Sequence, residues 1–376
     1  EGRKPQDSHR RLTPAVKEDG LAETHENIKG TIKGKLALYV DDLLSAARKC
    51  LSVSFLDALK AHWKMASPEH LGPEAEDQKA SLKFIGVKIT RDSKGCFYLG
   101  QGDYVLEVLG RFSKSMDYRS RSTPGEPESF QPKSGQKSMK KNPRSKIQVE
   151  TEDSDEYAGI SAILGALMWI AFRTRPDIVW AVTRISRSAK PGQTEEQVEH
   201  QARSQIKHIL QYLAATWTVC LKMVPASGEA RLQVVTDASL APGGGRSHEG
   251  VTIFHGPNLV FWRSGKQKLT TLSSCEAELV GMVSGVQQGI NLSLSLGEAI
   301  QQKPVIEVYN DNSAAIDLVK SGPEAAFKTR HISMRGHYVH DLMGVDILSV
   351  YYVPSEENAA DACTKGLSSA KHDRAC

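Results

Sequence analysis

The strongest constraint on the fold is the order of strand and helix patterns after residue 227. Three short apolar runs joined by glycine-containing turns, RLQVVTDAS, GVTIFHG and NLVFWRSG, predict three consecutive strands. A long helical pattern then covers residues 274–300, and a strand, two helices, a strand and a last helix follow it. This order predicts an α/β domain with a mixed five-stranded sheet and flanking helices.

Upstream of this sheet, the pattern changes several times. SLKFIGVKITRD predicts one strand, followed by a turn at DSKG, a second strand and a helix. Residues 113–156 are rich in Ser, Pro, Lys and Glu, and this composition predicts a flexible linker. Their few large apolar side chains cannot bury enough surface to offset the conformational entropy that ordering would cost. Helices follow this linker, with a break before Pro176. The predicted segments are 1–34 (polar), 35–112 (hairpins and helices), 113–156 (linker), 157–226 (helical), 227–368 (sheet domain) and 369–376 (tail).

Four acidic residues occupy informative places in the sheet domain. Asp237 ends the first predicted strand and Asp311 ends the fourth, while Glu278 lies on the long helix and Asp361 opens the last helix. Like charges held close together repel, and shared divalent cations remove that cost. Carboxylate oxygens suit Mg²⁺ or Mn²⁺, and a pair of such ions can hold both oxygens of a phosphodiester displacement. The pattern predicts a two-metal hydrolytic site.

Each of these acids also has a structural interpretation. A single Asp at the end of a strand is most often a turn or cap residue, and Asp311 could cap the helix that begins at Asn312. Glu276 competes with Glu278 for the metal role because both lie on the same helix. The order of all four acids on these elements favours the metal site.

A second acidic feature stands near the start of the chain. LYVDDLL predicts a hairpin with Asp41 and Asp42 at its tip, where paired negative charge suits a divalent ion bound to a phosphate. The net charge of +4 permits a nucleic-acid partner without demonstrating one. The six cysteines form no CxxC motif and are typical of reduced thiols in an intracellular protein. The longest apolar run, residues 162–172, is too short to span a bilayer, so no membrane partner is expected.

Several segments resemble one family of mobile elements. VVTDAS, LTTLSSCEAELVGM, VYNDNSAAIDLVKSG, KTRHISMRGHYVHD and YYVPSEENAADACTKGL resemble the ribonuclease H domain of copia-type (pseudovirus-like) LTR retrotransposon Pol polyproteins. LYVDDLL, FIGVKITRD and GALMWIAFRTRPDIVWAVTRISR are similar to the end of the reverse transcriptase of the same elements. The resemblance implies a ribonuclease H-like fold, preceded by a partial reverse transcriptase palm and thumb or connection helices.

The resemblance also implies roles for the acidic residues. The ligands of two Mg²⁺ (or Mn²⁺) ions would be Asp237, Glu278, Asp311 and Asp361, with Glu278 preferred to Glu276 by the family's motif. The implied activity is endonucleolytic hydrolysis of the RNA strand of an RNA–DNA hybrid.

Asp41 and Asp42 match the metal pair of the family's polymerase. A further aspartate of that site lies well upstream in the family, so the reverse transcriptase part is expected to be incomplete and inactive alone.

Substrate contacts are harder to assign from the sequence. Basic and small polar residues that could contact RNA or DNA are Lys266, Lys268, Ser273, Ser274, Lys328 and Arg330, and for each one a solvated surface position is an equal alternative. His331 is a candidate proton shuttle on the substrate side.

Three alternatives to an active ribonuclease H stay open. The chain could be a catalytically dead transposon relic or a nucleic-acid-binding module without turnover. It could be a piece of a Pol polyprotein whose upstream part is a partner, located in cytoplasmic virus-like particles or in the nucleus. A host-adapted structural protein without metal binding is the third alternative.

Overall fold

The computed structural model describes residues 34–40, 42–71, 81–112, 121–125, 159–185, 195–225, 228–241, 245–300, 302–322, 330–369 and 372. The side chains of residues 195–198 and 330–333 are outside this description, although their backbone belongs to helices. Within these ranges, no helix is both long and apolar enough to cross a membrane.

The first described element is the predicted hairpin. Strands β1 (Gly34–Tyr39) and β2 (Asp42–Ala47) pair antiparallel, with Tyr39 opposite Asp42, and helix α1 (Lys49–Lys60) follows. Val40 turns the chain with a φ of 54°. Asp41 lies outside the described residues, and Asp42 is exposed at the tip.

A four-stranded antiparallel sheet comes next. Its strands, in spatial order, are β3 (Leu82–Phe84), β4 (Val87–Arg91), β5 (Phe97–Gly100) and β6 (Leu221–Met223), and helix α2 (Gly102–Phe112) follows β5. The predicted turn at DSKG is confirmed, because the Asp92 carboxylate accepts from the amides of Lys94 and Cys96. The single strand predicted over SLKFIGVKITRD is wrong. Ile85 and Gly86 both have positive φ and divide it into a hairpin.

The helical region comprises α3 (Ile160–Arg173), a 3-10 turn (Pro176–Ile178), α4 (Val179–Ile185) and α5 (Glu195–Ala215). The predicted break before Pro176 is confirmed. Arg175 is buried at this break, where its guanidinium binds the Asp177 carboxylate at 2.6 Å and the Thr216 carbonyl oxygen at 2.8 Å. These bonds fix the angle between the helices, whose apolar faces share one core with α2.

A five-stranded sheet follows, in the order β11-β10-β7-β8-β9. Its strands are β7 (Arg231–Ser239), β8 (His248–His255), β9 (Asn258–Lys266), β10 (Val305–Asn310) and β11 (Leu348–Tyr352), and its helices are α6 (Ser274–Ile300), α7 (Ser313–Lys320) and α8 (Arg330–Gly344). β8 pairs antiparallel with both β7 and β9, and β10 runs parallel to both β7 and β11. The expected mixed five-stranded sheet with flanking helices is confirmed. The predicted last helix is shorter than expected, because it is a single 3-10 turn (Ala359–Cys363).

Helix α6 lies unusually close to β7. A Cβ atom on Gly285 would be 2.5 Å from Cγ2 of Thr236, so only glycine permits this separation. Apolar side chains of α6, including Leu279 and Met282, fill the core together with those of the sheet. This packing sets the first turns of α6 beside the end of β7.

Part of the predicted linker is packed against the helices. His208 on α5 bonds the Thr123 carbonyl oxygen at 2.9 Å, and a Cβ atom on Gly125 would be 2.8 Å from the Trp180 ring. Residues 121–125 therefore do not behave as a flexible linker. The rest of 113–156 lies outside the described residues, and the predicted segment boundaries stay predictions.

Candidate active site

Three of the four predicted acids meet at one edge of the five-stranded sheet. Asp237 lies on β7, two residues before its end, Asp311 follows β10 directly, and Asp361 lies in the 3-10 turn. One carboxylate oxygen of each lies within 4.8 Å of the others. The parallel pairing of β7 and β10 explains the convergence, because the carboxyl ends of parallel strands meet at the same edge.

Glu278 stands beside this group without belonging to it. Its Oε1 accepts from the Ala238 amide at 3.1 Å, and its Oε2 accepts from Nδ2 of Asn310 at 2.9 Å. Burial raises the pKa of Glu278 to about 8, and the charge of Asp237 adds to that rise. The carboxylate is thus held by two donors next to the three aspartates.

The charges of the site are only partly balanced by the protein. Burial raises the pKa of Asp237 to about 6; the Lys365 ammonium opposes this rise, and the Asp361 charge adds to it. Nζ of Lys365 lies 2.6 Å from Oδ1 of Asp361, and Oγ1 of Thr364 donates to Oδ2 of Asp237. The donors that converge are oxygens of carboxylates, which suits a hard divalent cation such as Mg²⁺ or Mn²⁺. The residues therefore fit the expected metal.

Residues next to the predicted metal ligands fill the capping roles that were the alternative to metal binding. The Glu276 carboxylate accepts from the Leu272 amide at 2.8 Å, and its own amide donates to Oγ of Ser273, which caps the start of α6. Asn312, and not Asp311, caps α7 by accepting from the Ala315 amide at 3.0 Å. Asp311 instead accepts from Oγ of Ser355 at 2.6 Å.

The turn that carries Asp361 rests directly on the sheet. Gly250 lies opposite Asp237, and a Cβ atom there would be 2.7 Å from Cβ of Cys363. Asn358 begins the turn by accepting from the Ala360 amide at 3.0 Å, while its Nδ2 donates to the Thr236 carbonyl oxygen at 3.1 Å. Because glycine has no Cβ atom, the turn can lie directly against β8 at Gly250, and Asn358 joins the turn to β7 by a hydrogen bond.

The structure describes only some of the residues predicted to contact nucleic acid. Lys266, Lys268, Ser273 and Ser274 are exposed at the junction of β9 and α6. Lys328 lies outside the described residues, as do the side chains of Arg330 and His331 at the start of α8. Their contacts with nucleic acid and the proton-shuttle role stay predictions.

Several residues of this site were not predicted from the sequence. Asn310, the last residue of β10, is fully buried and bonds both Glu278 and Thr236. The alternation of side chains along a strand could have indicated this position, because it places Asn310 on the same buried face of β10 as Val308. Thr364 and Lys365 follow Asp361 at positions i+3 and i+4, a spacing that places side chains on one face of a helical turn.

The chain is similar in sequence to known proteins. No protein-family model matches the chain. The chain is 30% identical over 336 residues, 88% of its length, to the retrovirus-related Pol polyprotein from transposon TNT 1-94 of Nicotiana tabacum, of which it covers 23%. It is also 30% identical over 343 residues, 89% of its length, to the retrovirus-related Pol polyprotein from transposon RE1 of Arabidopsis thaliana, of which it covers 20%.

This chain is related to the Pol polyproteins of copia-type retrotransposons. The Pol homologue spans 20 to 23% of the length of these two curated relatives. Among solved structures, it is similar to the foamy viral protease-reverse transcriptase in complex with RNA/DNA hybrid, with 15% identity, a TM-score of 0.44, and coverage of 89% of this chain and 37% of that one.

Proposed function

We propose that this Pol homologue hydrolyses the RNA strand of RNA–DNA hybrids endonucleolytically and with a divalent metal. The observation that carries the proposal is the convergence of Asp237, Asp311 and Asp361, whose carboxylate oxygens lie within 4.8 Å of one another. The ribonuclease H-like strand order and the relationship to Pol polyproteins support it.

The metal-binding residues would be these three aspartates together with Glu278, as ligands of two Mg²⁺ or Mn²⁺ ions. Such a pair supplies electrostatic stabilisation of the charge that develops on a phosphodiester during displacement. The protein's part is to hold the carboxylates in place: Thr364 fixes Asp237, and the Ala238 amide and Asn310 fix Glu278. Lys365 balances part of the negative charge beside Asp361.

The substrate would be held by residues at the edge of this site. Exposed Lys266 and Lys268 would contact phosphates, and Ser273 and Ser274 are candidates for the contacts that distinguish RNA by its 2′-hydroxyl group. Lys328, Arg330 and His331 stay candidates from the sequence. RNA, DNA and their hybrid are the proposed partners, together with the upstream part of Pol in a longer product.

The hairpin of β1 and β2 would not polymerise DNA by itself. Asp42 is exposed, and among the described residues the one group of three or more acids with ligand oxygens within 4.8 Å of one another is Asp237, Asp311 and Asp361. A polymerase site needs a further carboxylate beside the pair, which the upstream part of a longer Pol product would supply.

The decisive experiment is cleavage of a labelled RNA–DNA hybrid by the purified chain with Mg²⁺ or Mn²⁺. We expect cleavage of the RNA strand alone, lost in EDTA and in Asp311→Asn. Asp317→Asn is the matched control, because it makes the same change in charge on exposed residue 317 of α7. Absence of cleavage by the folded wild-type protein would contradict the proposal. Hybrid binding by that sample would then favour a binding module over a relic.

A further inference from the structure

We propose that Thr183 and Ser264 are positioning residues, through which the helical region holds the acidic turn of the sheet domain. The functional part of this inference, an effect on metal binding, rests on the proposed function. The structural part, an effect on the order of the turn, does not.

Ser264 is the centre of a buried chain of hydrogen bonds. Its Oγ lies 3.0 Å from Oγ1 of Thr183 on α4 and 2.8 Å from Nε2 of His248 on β8. The same hydroxyl donates to the carbonyl oxygen of Cys363 at 2.7 Å. All three side chains are buried. One hydroxyl group therefore joins the helical region, two strands and the 3-10 turn.

The Cys363 carbonyl is a short distance along the chain from the acidic site. Asp361 precedes Cys363 by two residues, and Thr364 follows it. Oγ1 of Thr364 donates to the Asp237 carboxylate and also lies 3.2 Å from the Asp361 carbonyl oxygen. A shift of the Cys363 carbonyl would therefore move Asp361 and the group that fixes Asp237.

Apolar contacts also join the 3-10 turn to the helical region. The helical region and the five-stranded sheet have separate cores, and the Cys363 side chain belongs to the core of the helical region. Trp262 on β9 packs on that core as well, and its indole nitrogen donates to the Ala171 carbonyl oxygen at 2.9 Å. The turn thus rests on the strands of its own sheet, while its Cys363 side chain packs into the core of the upstream helices.

Hydrogen exchange of the backbone amides of residues 359–365 in the full chain tests the structural part without metal or hybrid. Thr183→Val removes the hydroxyl and keeps the side-chain shape, and Thr183→Ser restores the hydroxyl. We expect exchange about three- to tenfold faster in Thr183→Val, the range for one lost buried hydrogen bond, and near wild-type exchange in Thr183→Ser.

Thr174→Val is the matched control in the same helical region. Its buried hydroxyl donates to Oε1 of Gln101 at 2.9 Å and not to the sheet, so exchange of the turn should not change. If Thr183→Val leaves the exchange of the turn unchanged, the inference is overturned. Ser264→Ala is the second variant if Thr183→Val does not fold, with the same expectation and the same contrary result.

A metal titration tests the functional part. The Mg²⁺ concentration that gives half of the maximal increase in Tm should rise about three- to tenfold in Thr183→Val, and return towards the wild-type value in Thr183→Ser. Thr174→Val should keep the wild-type midpoint even if its Tm is lower, which separates positioning from general destabilisation. If Mg²⁺ does not affect the wild-type protein, the proposed function fails, while the exchange result still decides the inference.

Discussion

Two acidic motifs of this chain have opposite surroundings. Asp42 is exposed on a hairpin whose neighbouring residues Leu38 and Val40 are themselves 68% and 84% exposed. Asp237 and Asp361 are each 5% exposed and are held by hydrogen bonds or an ion pair. The two motifs therefore differ in how far the described part of the fold encloses their carboxylates.

The largest expected effect is on catalysis. Asp237→Asn should lower Mg²⁺-dependent cleavage of the hybrid at least about 1,000-fold, because loss of one ligand removes several kcal/mol of charge stabilisation. Asp42→Asn should leave cleavage unchanged. Initial rates on one labelled hybrid measure both variants. Equal losses in the two would show that the hairpin belongs to the same active site.

The next effect concerns stability without metal. Burial raises the pKa of Asp237 from 3.8 to about 6 and that of Glu278 from 4.5 to about 8. Between the ordinary and the raised pKa values, these two groups hold more protons in the folded state than in the unfolded chain, so their contribution to stability is greatest at low pH and falls as pH rises. Because one pKa unit corresponds to about 1.4 kcal/mol, we expect this contribution to decrease by several kcal/mol between about pH 4 and about pH 8.

Urea unfolding in EDTA at a series of pH values measures this decrease. Glu278→Gln should flatten the upper part of the curve, whereas Asp42→Asn should leave its shape unchanged. If the free energy of unfolding of the wild-type protein stayed constant or increased with pH, burial would not be raising the pKa values of these two carboxyl groups.

A smaller effect is expected from the groups that support the acids. Asn310→Ala should lower cleavage about 10- to 100-fold, because the residue orients Glu278 without being a ligand itself. Asn258→Ala is the matched control, since that buried side chain bonds the Val224 backbone at 2.6 and 2.9 Å. Similar activity in the two variants would exclude a specific role for Asn310.

The smallest effect is the thermal shift on metal addition. At a Mg²⁺ concentration ten times the Kd, binding should stabilise the folded state by about 1.4 kcal/mol and raise Tm by about 3 to 5 °C. The shift should persist in Asp42→Asn and disappear in Asp237→Asn, as followed by calorimetry. A shift that depends on Asp42 would move the metal site to the hairpin.

The sequence was sufficient for the sheet domain and for the places of its acids. Short apolar runs predicted β7 to β11, and the places of Asp237 and Asp311 at the ends of two predicted strands suggested that the fold brings them together. The parallel pairing of β7 and β10, which the sequence did not predict, is what brings them to one edge.

Short elements and distant contacts gave no such signal. The strand β6 has three residues, and the 3-10 turn has five, too few for any periodicity. Ile85 adopts a positive φ, which its β-branched side chain disfavours, so no turn was predicted there. The bond from Thr364 to Asp237 joins residues that are 127 positions apart, and only the tertiary fold determines it.

Strand β6 pairs with β5 although the whole helical region lies between them in the chain. A protease that cut the backbone between α2 and α3 would therefore leave two fragments that still share one sheet. The same fragments would share an apolar core, because α2 on one side of the cut packs with α3, α4 and α5 on the other. A nicked preparation should migrate as one species in native gels and as two in denaturing gels, and separated fragments should complement each other when mixed.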